Sequence, residues 1–222
     1  MKFNLRSVAL GALITFVFAA SASAQTMVSP PTSPNDAMGS VKSVIDQSIV
    51  VFKNQQISAT DREQKLRAIA ESHFDFREMA KSAIGYHWKT LTPAQQTEFV
   101  PLFTTFIEDA YLSRIESYSV EKVNQQIQSS MIQFVKQTTD GPEYAQVYST
   151  VVLQDDKNPI AVNYLMRNDS GDWKIYDITI DAISVIANYR NQFNRVLNNG
   201  GYDKLIEIIR QKIQGLQQQA TN

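Results

Sequence analysis

The order of hydrophobic periods along the chain predicts an α+β fold, with helices first, then a four-stranded antiparallel sheet, then further helices. Two observations carry this. Apolar residues recur at helical spacing from Val41 to Tyr118 and again from Ile183 to Leu216, whereas from Met131 to Ile180 the period is two and β-branched and aromatic residues dominate. Turn sequences separate the period-two segments, and short turns make neighbouring strands antiparallel.

The N-terminus stands apart from this pattern. Lys2 and Arg6 precede the apolar run Val8 to Ala20, and Ala22-Ser23-Ala24 supplies a small-residue cleavage pattern. This predicts a secretory signal peptide over residues 1–24 and an exported mature chain beginning at Gln25. The apolar run is shorter than the roughly 20 residues that cross a bilayer. Residues 25–39, with Pro30, Pro31 and Pro34, read as a flexible leader, and residues 40–218 as a single domain. Within it, 40–120 form a helical part, 131–180 the sheet and 183–218 the C-terminal helices.

In the helical part, Val41, Val44, Ile45, Val51 and Phe52 predict a first helix ending near Asn54, with order beginning near Ser40. Thr60 is placed as the N-cap of a second helix carrying Leu66 and Ile69. A third, short helix follows Phe74 and stops at Gly85, since glycine suits a left-handed C-terminal position. Thr92-Pro93 starts a long fourth helix with Gln95 nearby, striped by Phe99, Phe103, Phe106, Tyr111 and Tyr118.

The strands are expected at Met131–Thr138, Tyr144–Gln154, Ile160–Arg167 and Asp172–Ile180, with Asp155 to Pro159 as a turn. The second and third each carry one apolar face, Ala145, Val147 and Val151 in one and Val162, Tyr164 and Met166 in the other. Phase is ambiguous in the fourth. Helical period then returns from Ile183, is interrupted at Asn198 to Gly201, and resumes from Tyr202.

Composition narrows function mostly by exclusion. The formal charge is −1, and removing the signal peptide makes it −3. No basic stripe answers a phosphate backbone, so nucleic acid is not expected as a partner. Cysteine is absent, which excludes thiol chemistry and thiolate metal sites. His73 and His87 lack ligand spacing, and no phosphate-cradling or nucleophile-elbow motif occurs. No cofactor or metal is expected. Paired carboxylates are the remaining route to catalysis, with Asp177 and Asp181 or Glu108 and Asp109 as candidates. The competing expectation for Asp177 is a strand-end carboxylate bonded to a backbone N–H.

A further pattern runs through Phe74-Asp75-Phe76, Met79-Ala80, Gly85, Trp88, Leu91-Thr92-Pro93-Ala94-Gln95-Gln96, Phe99, Phe103 and Tyr111. It continues in Trp173-Lys174-Ile175-Tyr176-Asp177-Ile178, Ile183-Ser184-Val185, Asn188-Tyr189-Arg190 and Gly201-Tyr202-Asp203-Lys204-Leu205-Ile206. In order and spacing these residues resemble the MlaC or toluene-tolerance family, the periplasmic component of a phospholipid-transport ABC system. The likeness covers roughly residues 40–215; Ala182 departs from it, standing where the family often has glycine.

The resemblance implies an NTF2-like curved sheet with helices around a deep apolar cavity for acyl chains. It implies no enzyme but a shuttle that carries phospholipid and maintains outer-membrane lipid asymmetry. Its partners would be an inner-membrane Mla-type ABC transporter complex and an outer-membrane lipoprotein/porin complex. Each exposed CH₂ costs about 0.8 kcal/mol, so two bare chains of about 16 carbons would cost on the order of 25 kcal/mol in water.

Strand phase and helix stripe assign the cavity residues. Val147, Val151, Val162, Tyr164, Met166, Tyr176 and Ile178 are expected as the floor. Phe74, Met79, Ile84, Phe103, Phe106 and Tyr111 are expected as walls and mouth, together with Ile183, Val185 and Tyr189. A hopanoid or other apolar ligand, an exported NTF2-like enzyme using Asp177 as base, and a purely structural subunit remain as alternatives.

Overall fold

Helix capping sets the order of the first elements. The computed structural model describes residues 36–112, 130–153 and 156–220. Helix α1 (Ala37–Lys53) opens on Asp36, whose carboxylate accepts from the Gly39 N–H, so the helix begins ahead of the expected Ser40. Asn54 closes it as expected. Helix α2 (Ala59–His73) is capped by Ser58 instead of Thr60; the Ser58 hydroxyl accepts from the Asp61 N–H and donates to the Asp61 carboxylate. Two hydroxyl residues on either side of Ala59 offer two caps, and the one three residues before an aspartate wins.

Helix α3 (Phe76–Ile84) starts from the Asp75 cap and ends at Gly85, where φ is 64°. A 3-10 turn (Gly85–Thr90) leads to helix α4 (Pro93–Tyr111), entered through a full capping box between Thr92 and Gln95. The expected stripe residue Tyr118 lies outside the described residues.

The sheet has five strands, β1 (Ser130–Asp140), β2 (Tyr144–Leu153), β3 (Asp156–Asp169), β4 (Asp172–Ile180) and β5 (Ile183–Ser184), in sequential antiparallel order. The fifth is the difference from expectation, a two-residue return too short to show a period in sequence. Strand β3 also begins earlier than expected, at Asp156, with Pro159 falling where the pairing shifts between Val151 and Leu153. A proline is tolerated at such an irregularity.

A bulge explains the ambiguous phase of β4. Leu165 pairs with Asp177 but Met166 pairs with Ile175, so Tyr176 is the extra residue. Beyond it the alternation flips, and Ile175, Ile178 and Ile180 are all buried.

Two hydrophobic cores result. In the first, α1 lies on the apolar sheet face, its Val41, Val44 and Ile45 clustering with Val147, Val162, Tyr164 and Met166. The Ser40 hydroxyl donates to the Trp173 carbonyl and the Met38 N–H to the Gln137 side chain, pinning the helix to β4 and β1. In the second, Met79, Ala80, Ala83 and Ile84 of α3 cluster with helix α5 (Val185–Ala220), and α4 packs on α5 through aromatic contacts, with the Phe193 ring edge-on to Phe99 and Phe103 at 6.2 and 6.3 Å. Helix α5 is broken at Gly201, whose φ of 72° and ψ of −172° only glycine adopts readily. Phe74, Tyr111 and Tyr189 pack against both cores.

Candidate functional site: an apolar cleft at the seam of two cores

The seam between the cores is incompletely filled. Its cavity volume is about 70 Å³, and with the open mouth the unfilled space is about 780 Å³. Helix α1 contributes Ser48 and Phe52, one turn apart, and α2 contributes Leu66, Ile69 and Ala70 from one stripe. Phe74, Phe76 and Met79 reach in from the start of α3, and Ile107, Tyr111 and Leu112 from the end of α4. Ile178 on β4 and Val185 and Ile186 at the start of α5 complete the apolar lining.

Local hydrogen bonds fix the aromatic edge of the cleft. The Asp75 N–H donates to the Ile175 carbonyl at 2.9 Å, which sets Phe74 in a parallel bridge beside β4. Arg167 donates to Asp75 at 2.7 Å and holds the same corner. Across the seam the Tyr111 and Tyr189 hydroxyls lie 3.3 Å apart.

Three polar residues enter this lining: Ser48, Glu108 and Asp177. Asp177 is used structurally. One oxygen accepts from the N–H groups of Ile178 and Ile186, at 2.8 and 3.1 Å, and the other from the Ser184 hydroxyl, so the carboxylate ties β4 to the start of α5. Burial still holds its pKa above the ordinary aspartate value, against the lowering effect of those hydrogen bonds.

Glu108 belongs to an ion-pair network on the outer side of the cleft. Arg67 donates to Glu63, to Glu108 at 2.9 Å and to Asp109 at 2.6 Å, and Gln217 donates to the other Asp109 oxygen. Burial alone would lower the Arg67 pKa, but Asp109 and Glu63 outweigh it and hold the guanidinium charged. The Glu108 carboxyl is raised, chiefly by burial, with Arg67 opposing. The Glu108–Asp109 pair is therefore bound to a guanidinium. Burial also lowers His73, which contacts Gln47, while His87 stacks on Tyr86. Among the described residues no group of three or more His, Cys, Asp or Glu is arranged to hold a metal, and no helix is long and apolar enough to cross a membrane.

The residues expected around the cavity divide into three groups. Phe74, Met79, Tyr111, Ile178 and Val185 line the cleft. Val147, Val151, Val162, Tyr164 and Met166 lie in the packed core beneath α1, and Ile84, Phe103 and Phe106 in the helical core. Tyr189 lies beside the cleft on Tyr111, Tyr176 stacks edge-on with Tyr144, and Ile183 is 55% exposed in the β4–β5 return. Ser48, Phe52, Leu66, Ile69, Ala70 and Ile107 line the cleft although the pattern did not single them out. Their helical stripes were legible, but a stripe that fills a core and one that borders a gap have the same period.

An antiparallel sheet covered by helices, with an apolar cleft between two cores, defines an α+β protein built around an internal cavity. The chain belongs to the MlaC family, whose profile, described as MlaC protein, matches residues 42–211. It is 26% identical over 130 residues to the intermembrane phospholipid transport system binding protein MlaC of Haemophilus influenzae, a match covering 58% of this chain and 57% of that protein. Its fold is similar to that of a phospholipid-binding protein from Ralstonia solanacearum solved in complex with a phospholipid. The TM-score is 0.63 at 22% identity, covering 82% of this chain and 98% of the other.

Proposed function

We propose that this protein is a periplasmic phospholipid carrier, binding acyl chains in the cleft between the two cores and catalysing no reaction. The observation that carries it is the cleft itself, apolar on nearly every side, in a chain of the MlaC family. Support for the ligand comes from the names of the relatives, one a phospholipid transport binding protein and one a phospholipid complex. The signal-peptide pattern of residues 1–24 supports export. Carriage between an inner-membrane ABC transporter complex and an outer-membrane lipoprotein/porin complex, maintaining lipid asymmetry, is the role that fits such a carrier.

A cavity of about 70 Å³ holds only a few methylene groups, below the several hundred Å³ of ordinary ligand pockets. Seating two chains therefore requires the seam to widen. Widening parts Phe74, Tyr111 and Tyr189 from one of the two cores and stretches the Arg67 join to Glu108 and Asp109, while α1 and α2 stay packed with the sheet and α4 with α3 and α5. Lipid extracted from protein purified out of its native envelope and identified by mass spectrometry tests the proposal. Phospholipid is expected, and it should be lost from a folded Ala70→Trp variant, whose indole would occupy the cleft. Hopanoid in its place, or no lipid, contradicts the reading.

A further inference from the structure

Hydrogen bonds cross the seam beside β4 and again between α2 and α4. Beside β4 they sit where the chain itself passes from one core to the other. Asp75 bonds Ile175 and Arg167 at the α2–α3 junction, and Asp177 bonds Ser184 and Ile186 at the start of α5. Covalent continuity limits parting on that side. Arg67 lies about 9 Å back along α2 from its C-terminal His73, far enough from the junction for the two helices to splay. There it donates to Glu108 at 2.9 Å and to Asp109 at 2.6 Å, and it also bonds Glu63 on its own helix. The α2 turns that carry Arg67 also carry Leu66, Ile69 and Ala70, which line one wall of the cleft, and Ile107 and Tyr111 on either side of Glu108 line the facing wall. Arg67 therefore bridges the two walls that entering acyl chains must push apart.

We infer that Arg67, held by Glu108 and Asp109, is a clasp across the cleft that sets the rate at which lipid enters and leaves. The inference rests on the phospholipid-carrier reading. Both acceptors are nearly buried, where charge-assisted hydrogen bonds are strong, and the guanidinium fork engages them together, so widening stretches both bonds at once. Without the guanidinium, the closed seam buries the two carboxylates with less compensation, and widening relieves this by admitting water to them. Both effects favour the wider seam when Arg67 is removed. The clasp slows exchange and thereby retains lipid in transit.

The test loads the full mature chain with a phosphatidylcholine bearing pyrene on one acyl chain, adds an excess of phosphatidylcholine vesicles containing a quencher-labelled lipid, and follows pyrene quenching in time. Arg67→Met, which keeps an apolar stem and loses every donor, should release lipid at least about tenfold faster than wild type, the factor that one charge-assisted hydrogen bond supplies. Arg67→Lys, which keeps the charge without the fork, should fall between the two and serves alone where Arg67→Met does not fold. Val162→Ala, in the packed core beneath α1, lowers stability away from the seam and should release lipid at the wild-type rate. Wild-type release from the folded Arg67 variants, or an equal acceleration by Val162→Ala, overturns the clasp alone. A wild-type chain that takes up no pyrene lipid overturns the clasp together with the carrier reading.

Discussion

At Ala182 the backbone takes φ of 64°, and at Asp181 before it φ of 46°. Ile180 pairs with Ile183, so these two residues form a two-residue hairpin loop with both φ positive, the type that matches strand twist. Asp181 is anchored there, its N–H donating to the Ala161 carbonyl and its carboxylate accepting from the Ala161 N–H. Ala182 has no such compensation, and a left-handed alanine costs about 1 kcal/mol relative to glycine. Ala182→Gly should therefore raise unfolding stability by about 1 kcal/mol in urea titration. The departure from the family's glycine was visible in sequence, but which of the two turn residues bears the strain required the dihedrals.

Asp177 supplies a second prediction. The folded chain holds its proton more tightly than the unfolded chain, because burial raises its pKa. Its stabilising contribution is thus fully present below the ordinary aspartate value and declines as pH rises through the raised one. The melting temperature of wild type relative to Asp177→Asn should fall as pH rises above the ordinary aspartate value of about 4, and a flat difference would contradict this. Sequence reasoning offered Asp177 both as a catalytic base and as a carboxylate bonded to backbone, and the three hydrogen bonds give it the second role. Glu108 was less legible, since neighbouring acidic residues on a striped helix read alike whether solvated or buried.

Among elements, helix ends were readable wherever a capping chemistry was unique, as at Thr92 and Gly85, and misplaced by two residues where Ser58 and Thr60 competed. The apolar faces of β2 and β3 were also readable. Strand β4 was not, because the bulge at Tyr176 inverts its alternation and no residue type announces a bulge. The join between α2 and α4 depends on Arg67, the bridge from Glu63 to Glu108 and Asp109. Removing it takes the guanidinium away from two carboxylates that are 7% and 2% exposed. Allowing for the partial exposure of Arg67 itself, Arg67→Met should cost about 2–3 kcal/mol at neutral pH. Part of that loss should return in mild acid, as the freed carboxyls protonate in the folded state, which urea titrations at both pH values would show.

For the molecule as a whole, the apolar sheet face was identified correctly as buried, but its cover is α1, packed directly upon it. The unfilled space lies at the seam with the helical core, where Phe74, Tyr111 and Tyr189 serve both sides. Hydrophobic period specifies which side of an element is buried and is silent on how completely two buried sides meet, so the fold was more legible than the cleft. Whether acyl chains occupy this seam is tested most directly by a phospholipid carrying a photoreactive diazirine at the chain end, loaded into the mature protein and mapped by peptide mass spectrometry. Adducts on Leu66 to Phe76 and on Ile107 to Leu112 are expected. Adducts confined to β2 and β3, with none on those two segments, would contradict the account.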